Sequence, residues 1–162
     1  RKRRKRFLTD FCSKASEERQ AYCSSLLRYV QDHPGDSYSR LSHITITAVG
    51  DGWAEGELTV CPEVLNPMGM VHGGCLATLA DTVAGTAAHS GGQRCVTLNC
   101  SLNFLKPAKG SRIVCRAVRQ KSGRTIQVCE VVLTDEQGAQ VMTGTLTFYA
   151  LGPFEPDSPR GK

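Results

Sequence analysis

The sequence predicts an α+β domain in which an apolar helix packs against one face of an antiparallel sheet. Three observations support this prediction: an apolar helix lies in mid-chain, two strand-like runs precede it, and four follow it. Short turns that contain glycine separate the last strands, which favours hairpins between neighbours along the chain. A helix packed on one face of such strands is typical of the α+β class.

The composition fits one globular domain. The chain has 162 residues, of which 40 % are hydrophobic and 22 % charged, enough for a single core. Its apolar runs are far shorter than a membrane span, so we expect no membrane partner. The eight cysteines form no Cys-x-x-Cys pair and have no histidine at zinc-ligand spacing. We therefore expect reduced thiols, a cytoplasmic protein, and no metal or other cofactor.

The net charge of +5 comes from the N-terminus. Residues 1–6 are all Arg or Lys; without these six, 14 of the 20 basic residues remain against 15 acidic ones. The tail is either a solvated end, favoured by repulsion among like charges, or a signal for nucleic acid, an anionic membrane or import. No apolar segment follows it, so we do not expect a secretory signal. We interpret residues 1–8 as a disordered basic tail and expect no nucleic-acid partner.

The elements before the central helix follow from periodicity. Apolar residues recur every four positions between residues 10 and 30, which predicts a helix, and Pro and Gly then break it. Residues 38–49 are predicted as a strand, and an Asp-Gly turn joins it to a partner over residues 53–60. A loop with two prolines covers residues 61–72.

The central helix is predicted from Gly73 to about Ser90. At about 100° per residue it presents one apolar face, and its many Ala and Gly residues allow close approach of a curved sheet. Residues 95–105 then alternate between apolar and polar types, as a strand does. Further strands are predicted over 112–120, 125–135 and 140–151, and the apolar face of the helix comprises Leu76, Leu79, Ala80, Val83, Ala84 and Ala87.

Asp81 is the candidate acid of this helix. It lies away from the apolar face, beside small residues, and no Lys or Arg stands three or four positions away to pair with it. One interpretation is a solvated acid on a polar face. The other is a general base or nucleophile, because the small neighbours leave space beside the carboxylate.

The start of the helix is the second candidate. The first N–H groups of a helix lack partners and favour negative charge, so Gly73 and Gly74 can present a donor to an oxyanion. The same glycines are also explained by the entry geometry they permit. His72 is either a base or a cap on loop backbone. Asn66 either donates to an ester carbonyl or forms an Asx turn ahead of Pro67.

One family has these residue types at this spacing. The pattern resembles that of the hotdog-fold acyl-CoA thioesterases, most of all the PaaI-type group, and the run over residues 95–110 is similar to that family's strand after the helix. The resemblance implies a hotdog fold, a curved antiparallel β-sheet wrapped around a central α-helix, here with an extra N-terminal helix. It spans residues 38–151, with 9–37 as N-terminal helix and linker and 152–162 as a tail. The matching positions are Asn66, Gly69, His72, Gly73, Gly74 and Asp81.

The resemblance also implies an assembly and a reaction, the hydrolysis of an acyl-CoA thioester to free acid and CoA. The expected unit is a homodimer, or a homotetramer built as a dimer of dimers, with sites at the interface. One protomer would bind and polarise the thioester carbonyl through Asn66 and Gly73, with His72 and Gly74 as substrate-binding residues.

The other protomer would supply the acid. Asp81 would activate water or attack directly, and Thr97 matches a hydroxyl position that helps to place the water. Where some relatives have Asp two residues later this chain has Asn99, to which we assign no catalytic role. Because Gly73 and Asp81 stand about 12 Å apart along a helix, the motif is interpreted as two half-sites.

Coenzyme A has phosphates, so a binding site needs cations. Lys106, Lys109 and Arg124 are the predicted contacts, with Arg112 and Lys121 near the same turns. The alternative is a solvated set of loop charges.

Two other functions compete with hydrolysis. An acyl-CoA-binding regulatory module would use the basic tail on DNA, but one N-terminal helix is too little for a helix-turn-helix. A hotdog-fold hydratase or dehydratase needs a catalytic His with a partner acid, and its motifs are not evident. The acyl group, the choice of dimer or tetramer, and the nucleophilic or general-base role of Asp81 stay open.

Overall fold

The computed structural model describes residues 16–32 and 38–157 and confirms the α+β prediction. Six antiparallel strands form one sheet in the order β1-β2-β4-β5-β6-β3. The helices are α1 (Glu17–Asp32), α2 (Tyr38–Leu41) and α3 (Gly73–His89), with a 3₁₀ turn over Pro62–Val64. The strands are β1 (Ile44–Gly50), β2 (Trp53–Thr59), β3 (Gln93–Phe104), β4 (Arg112–Ser122), β5 (Ile126–Asp135) and β6 (Gln140–Pro153). The predicted basic tail, and the predicted helix before residue 16, lie outside the described residues.

The core lies between α3 and the inner face of the sheet. The helix contacts all six strands, and the apolar face predicted for it is fully buried. The sheet comes so close that a Cβ at Gly56 of β2 would meet Val83 Cγ2 at 2.9 Å and Thr45 O at 2.9 Å. Glycine is therefore needed where β2 crosses the helix, and the small residues of α3 serve the same close packing.

The first predicted strand begins later than expected. Residues 38–41 form α2, and the strand starts only at Ile44. The amide of Ser42 donates to Tyr38 O at 2.9 Å, which closes a helical turn, and Tyr38 and Leu41 are 67 % and 72 % exposed. The prediction was wrong here because burial in alternation, which stabilises a strand, begins only at Ile44.

β3 is an edge strand. It pairs only with β6, and Cys95 is the one buried residue among its twelve. Val96, Leu98 and Phe104 are 46 %, 56 % and 55 % exposed. The alternation that predicted this strand is present in the sequence, but most of its apolar side chains are exposed within the chain, and in the described structure no strand pairs with the other edge of β3.

α1 is tied to the end of α3 and to the C-terminal segment. Cys23 and Leu26 are buried, and the Tyr22 hydroxyl donates to His89 O at 3.0 Å and Phe154 O at 3.1 Å. Burial raises the pKa of Tyr22 to about 12, so this hydroxyl stays protonated. β6 continues to Pro153, beyond the strand end predicted at residue 151. Among the described helices, none has the length and apolarity to cross a membrane.

Candidate active site

Asp81 and Thr97 meet at the rim of the sheet. Asp81 lies on the exposed side of α3, and Thr97 comes from the edge strand β3. The Thr97 hydroxyl donates to Asp81 Oδ1 at 2.8 Å. Within residues 16–32 and 38–157, no cation pairs with Asp81. One carboxylate oxygen is thus held by a hydroxyl while Oδ2 remains accessible to water or a substrate.

Of the two predicted donors at the start of α3, one is engaged in a hydrogen bond and the other is free within the described residues. His72 is the N-cap, with φ −62° and ψ 135°, and its Nδ1 accepts a hydrogen bond from the Gly74 amide at 2.9 Å. The Gly73 amide has no hydrogen-bond partner in the described part of the chain. His72 and Gly74 therefore satisfy each other, whereas Gly73 keeps a free donor at the positive end of the helix dipole.

Asn66 organises the loop ahead of α3. Its Oδ1 accepts from the Met68 amide at 3.0 Å and the Met70 amide at 3.2 Å. The backbone N–H of Asn66 donates to Met70 O at 2.8 Å. These bonds form the Asx turn that was one of the two interpretations of Asn66. The side-chain NH₂ makes no hydrogen bond to any residue that the structure describes, so it can still donate to a ligand.

Within one chain the predicted residues form two clusters. Asp81 and Thr97 are in contact, and Asn66 lies in the loop that leads to Gly73. No hydrogen bond between described residues joins these clusters, and about 12 Å of helix separates Gly73 from Asp81. A single carbonyl group cannot contact both clusters of the same chain.

The predicted phosphate-binding cations differ in their surroundings. Lys106 Nζ lies 2.7 Å from Asp135 Oδ2, and this contact holds the pKa of the Asp135 carboxyl below its usual range. Lys109 and Arg124 are exposed, and neither forms an ion pair with a described residue. The charge of Lys106 is therefore partly committed to Asp135.

A cleft beside Asp81 was missed by the sequence prediction. Its volume is about 560 Å³, and it lies between α1, α3 and the ends of β3 and β6. The four-residue apolar period of α1 was the available signal, but a period does not say which surface a helix faces. The lining includes Leu26, Tyr29, Val30, Asp81, Thr97 and Phe148.

One group of side chains elsewhere has metal-ligand chemistry. His43, Cys61 and Glu63 present ligand atoms within 4.8 Å of one another, and it is the one such group among the described residues. Cys61 is half-buried and the other two side chains are exposed. None of them lines the cleft beside Asp81.

Several known proteins similar to this chain are named thioesterases or esterases. Residues 68–142 match the family model described as the thioesterase superfamily. A "putative esterase" of Haemophilus influenzae is 32 % identical over 120 residues, which cover 71 % of this chain and 87 % of that protein. "Acyl-coenzyme A thioesterase PaaI" of Escherichia coli is 28 % identical over 106 residues, covering 65 % and 76 % of the two chains. The solved PaaI structure superposes with a TM-score of 0.75 at 23 % identity over 82 % of this chain and 97 % of that one.

A solved protein of Streptococcus pneumoniae bears on the ligand. It is described as a hypothetical thioesterase with coenzyme A and superposes with a TM-score of 0.65 at 32 % identity, over 68 % of this chain and 90 % of that one. Two variants of it have also been solved, one with an Asp and one with a Thr replaced by Ala. Those two positions are 16 residues apart in that protein, the same separation as that between Asp81 and Thr97 in this chain.

Proposed function

Because the chain belongs to the thioesterase superfamily, we propose that it cleaves an acyl-CoA thioester to free acid and CoA at Asp81. It is a PaaI-type thioesterase, and the hotdog fold implied by its sequence motif is confirmed by the superposition on PaaI. The observation that carries the site assignment is the 2.8 Å hydrogen bond from the Thr97 hydroxyl to Asp81 Oδ1. The matching Asp and Thr separation in the pneumococcal protein supports it.

Asp81 acts on the water. With Oδ1 held by Thr97, Oδ2 accepts a proton from a water that attacks the thioester carbon; the C–S bond then breaks and the leaving CoA thiolate takes up that proton from Asp81. In the nucleophilic alternative Oδ2 attacks that carbon itself, CoA leaves as the thiolate, and water hydrolyses the resulting anhydride to free acid and Asp81. The developing oxyanion is bound by the Gly73 amide at the start of α3, a donor worth about 2.7–4 kcal/mol in the transition state. The free Asn66 NH₂ adds a second donor to the same oxygen.

The complete site needs two chains. Its donors lie about 12 Å from Asp81 along one helix, so the donors that serve one Asp81 come from a second copy. The exposed Val96, Leu98 and Phe104 on the unpaired edge of β3 support a homodimer through this strand. A dimer of dimers is compatible with the same edge contact.

The CoA moiety is expected on the exposed cations. Lys109 and Arg124 are free to meet its phosphates, and Lys106 can do so only by sharing its charge with Asp135. The coenzyme A in the pneumococcal relative supports this ligand. The seven cysteines in the described segments are all free thiols, which supports a reducing compartment such as the cytoplasm.

A thiol-release assay tests the function. Wild type is expected to release CoA from acetyl-, octanoyl- or phenylacetyl-CoA, and Asp81→Asn to lower kcat by about 10²–10⁴-fold. Asp32→Asn, an exposed acid at the end of α1, is the matched control and keeps wild-type turnover. Binding of acyl-CoA without release of CoA would instead indicate a regulatory module, and a dehydrated thioester product would indicate a dehydratase.

A further inference from the structure

We propose that the acyl group of the substrate lies in the cleft between Asp81 and His89, and that Gly85 keeps this cleft open to medium-chain and aryl groups. The inference rests on the proposed function and goes beyond it by naming the substrate class. Four features of the molecule support it: the direction of the cleft, its apolar lining, its closed end and the position of Gly85.

The cleft runs along α3. Asp81, Gly85 and His89 stand four residues apart, so they lie one above the other on one side of the helix, and all three line the cleft. From Asp81 to His89 the helix rises about 12 Å. An acyl chain whose carbonyl carbon is at Asp81 therefore has room to extend along the helix toward His89.

The walls are mainly apolar. α1 contributes Leu26, Tyr29 and Val30, and β6 contributes Phe148. The Thr86 hydroxyl on the same side of α3 donates to Thr82 O at 2.9 Å, so its polar group is satisfied within the helix. A volume of about 560 Å³ lies in the range of small-molecule sites, about 300–1,000 Å³. This is more space than an acetyl group needs.

An aromatic cluster closes the far end. The Phe154 ring makes edge contacts with Tyr29, at 5.3 Å between centroids, and with His89, at 5.2 Å. Both nitrogens of His89 are engaged, Nδ1 with Gly85 O at 2.6 Å and Nε2 with the Cys95 amide at 3.2 Å. Burial lowers the pKa of His89, so the ring is neutral. At this end of the cleft the His89 ring is thus neutral and held in place among aromatic rings, which suits aryl groups and limits chain length, while Arg94 also lines the cleft.

Gly85 has no other explanation in the described structure. It stands inside a helix, where glycine is less stable than alanine, and its φ is not positive. A Cβ at this position would meet only Phe148 Cε1, at an ordinary contact distance of 3.7 Å. Neither backbone conformation nor core packing requires glycine here. What a side chain would occupy is the cleft, one helical turn beyond Asp81.

The test compares kcat/KM across acetyl-, octanoyl-, phenylacetyl- and palmitoyl-CoA. Wild type is expected to prefer octanoyl- and phenylacetyl-CoA. Gly85→Val fills the cleft and should lower the octanoyl-to-acetyl ratio of kcat/KM by about tenfold or more. Gly85→Ala should raise the Tm and lower the ratio less. Thr145→Val changes an exposed side chain of β6 outside the cleft lining and should leave the ratio unchanged.

A second variant acts at the closed end. Phe154→Ala removes the ring that contacts Tyr29 and His89 and should move the preferred chain from octanoyl toward dodecanoyl. If neither Gly85→Val nor Phe154→Ala changes the profile while Asp81-dependent turnover of acetyl-CoA persists, the cleft assignment is wrong and the thioesterase function stands. If no thioester is cleaved, the proposed function fails. Calorimetry then decides this inference, because Gly85→Val should weaken octanoyl-CoA binding but not CoA binding, and equal binding overturns it.

Discussion

The Thr97 hydroxyl orients the carboxylate on which the proposed chemistry depends. Thr97→Val keeps the shape of the side chain but removes the donor to Asp81 Oδ1. A hydrogen bond to a charged group is worth about 1.5–3 kcal/mol, so kcat should fall by about 10–100-fold. Thr97→Ser restores the donor and should recover most of the turnover. Equal kcat values for the Val and Ser variants, from steady-state assays, would exclude an orienting role for the hydroxyl.

The Gly73 amide can be deleted by a proline. Gly73 is the first helical residue, where proline is well tolerated, and His72 before it has the extended conformation that a following proline favours. Gly73→Pro should therefore fold but lower kcat by about 10²–10³-fold through loss of an oxyanion donor. Gly73→Ala is the matched control, since it retains the N–H while its Cβ makes a 3.4 Å contact with Phe104 Cε1. Similar losses in both variants would point to the Phe104 contact instead.

The stability of the fold is expected to depend on pH through His89. Burial, with Arg94 nearby, lowers its pKa in the folded state, while the unfolded chain takes up a proton near the ordinary value of about 6.5. The contribution of His89 to the free energy of unfolding is therefore at its maximum above the unfolded-state pKa, and it decreases as the pH drops from about 7 toward the folded-state pKa. The Tm should decrease over this window, and His89→Gln should remove that slope. Asp135, whose pKa is lowered by Lys106, also makes the Tm fall with decreasing pH, but only below about pH 4. A Tm that still decreases near pH 6 in His89→Gln would therefore contradict the assignment to His89.

The sequence predicted single residues unevenly. Asp81 could be selected as a candidate because its small neighbours and the missing cation are local features of one helix, and its catalytic role stays a prediction. The bond between His72 Nδ1 and the Gly74 amide was only one of two options, because it depends on the N-cap rotamer. The role of Asn66 was similarly ambiguous, and the structure shows that its oxygen serves the turn while its NH₂ stays available. Such choices depend on rotamers that a residue pattern does not specify.

At the scale of elements, helices and strands with strong periodicity were predicted well and their partners were not. The apolar face of α3 is buried as expected. The alternation of β3 predicted a strand, but a period of two cannot distinguish a strand covered by a helix from one covered by another chain. The cleft wall formed by α1 was also beyond prediction, because it depends on how a helix outside the sheet docks on it.

A charged side chain on the exposed edge of β3 is expected to prevent dimer formation. Leu98 is 56 % exposed on this strand, and Leu98→Lys should block edge-to-edge pairing and shift the protein toward monomer in sedimentation experiments. Under the proposed mechanism, in which each site needs two chains, turnover should fall with the dimer fraction. Leu41→Lys on α2, where the side chain is 72 % exposed, is the control and should change neither property. A fully active monomeric Leu98→Lys variant would contradict the shared site.

At the scale of the whole molecule, the separation of two clusters of candidate residues is the reason for proposing a dimer. Asp81, hydrogen-bonded to Thr97, and Gly73, preceded by the loop of Asn66, stand about 12 Å apart along α3, so one chain cannot bring both clusters to the same carbonyl. A two-fold dimer brings each cluster to its complement twice, since the same surface meets itself. Under the proposed mechanism each chain therefore provides half of each of two sites.

Complementation between inactive chains tests the shared site most directly. Asp81→Asn and Gly73→Pro chains are each expected to be inactive alone, but unfolded and refolded together they form mixed dimers. Half of the dimers are then mixed and each has one intact site, so about a quarter of the wild-type kcat should return. If mixed dimers form, as shown by tagged co-purification, and no activity returns, each site is contained within one chain and the two-chain mechanism is wrong.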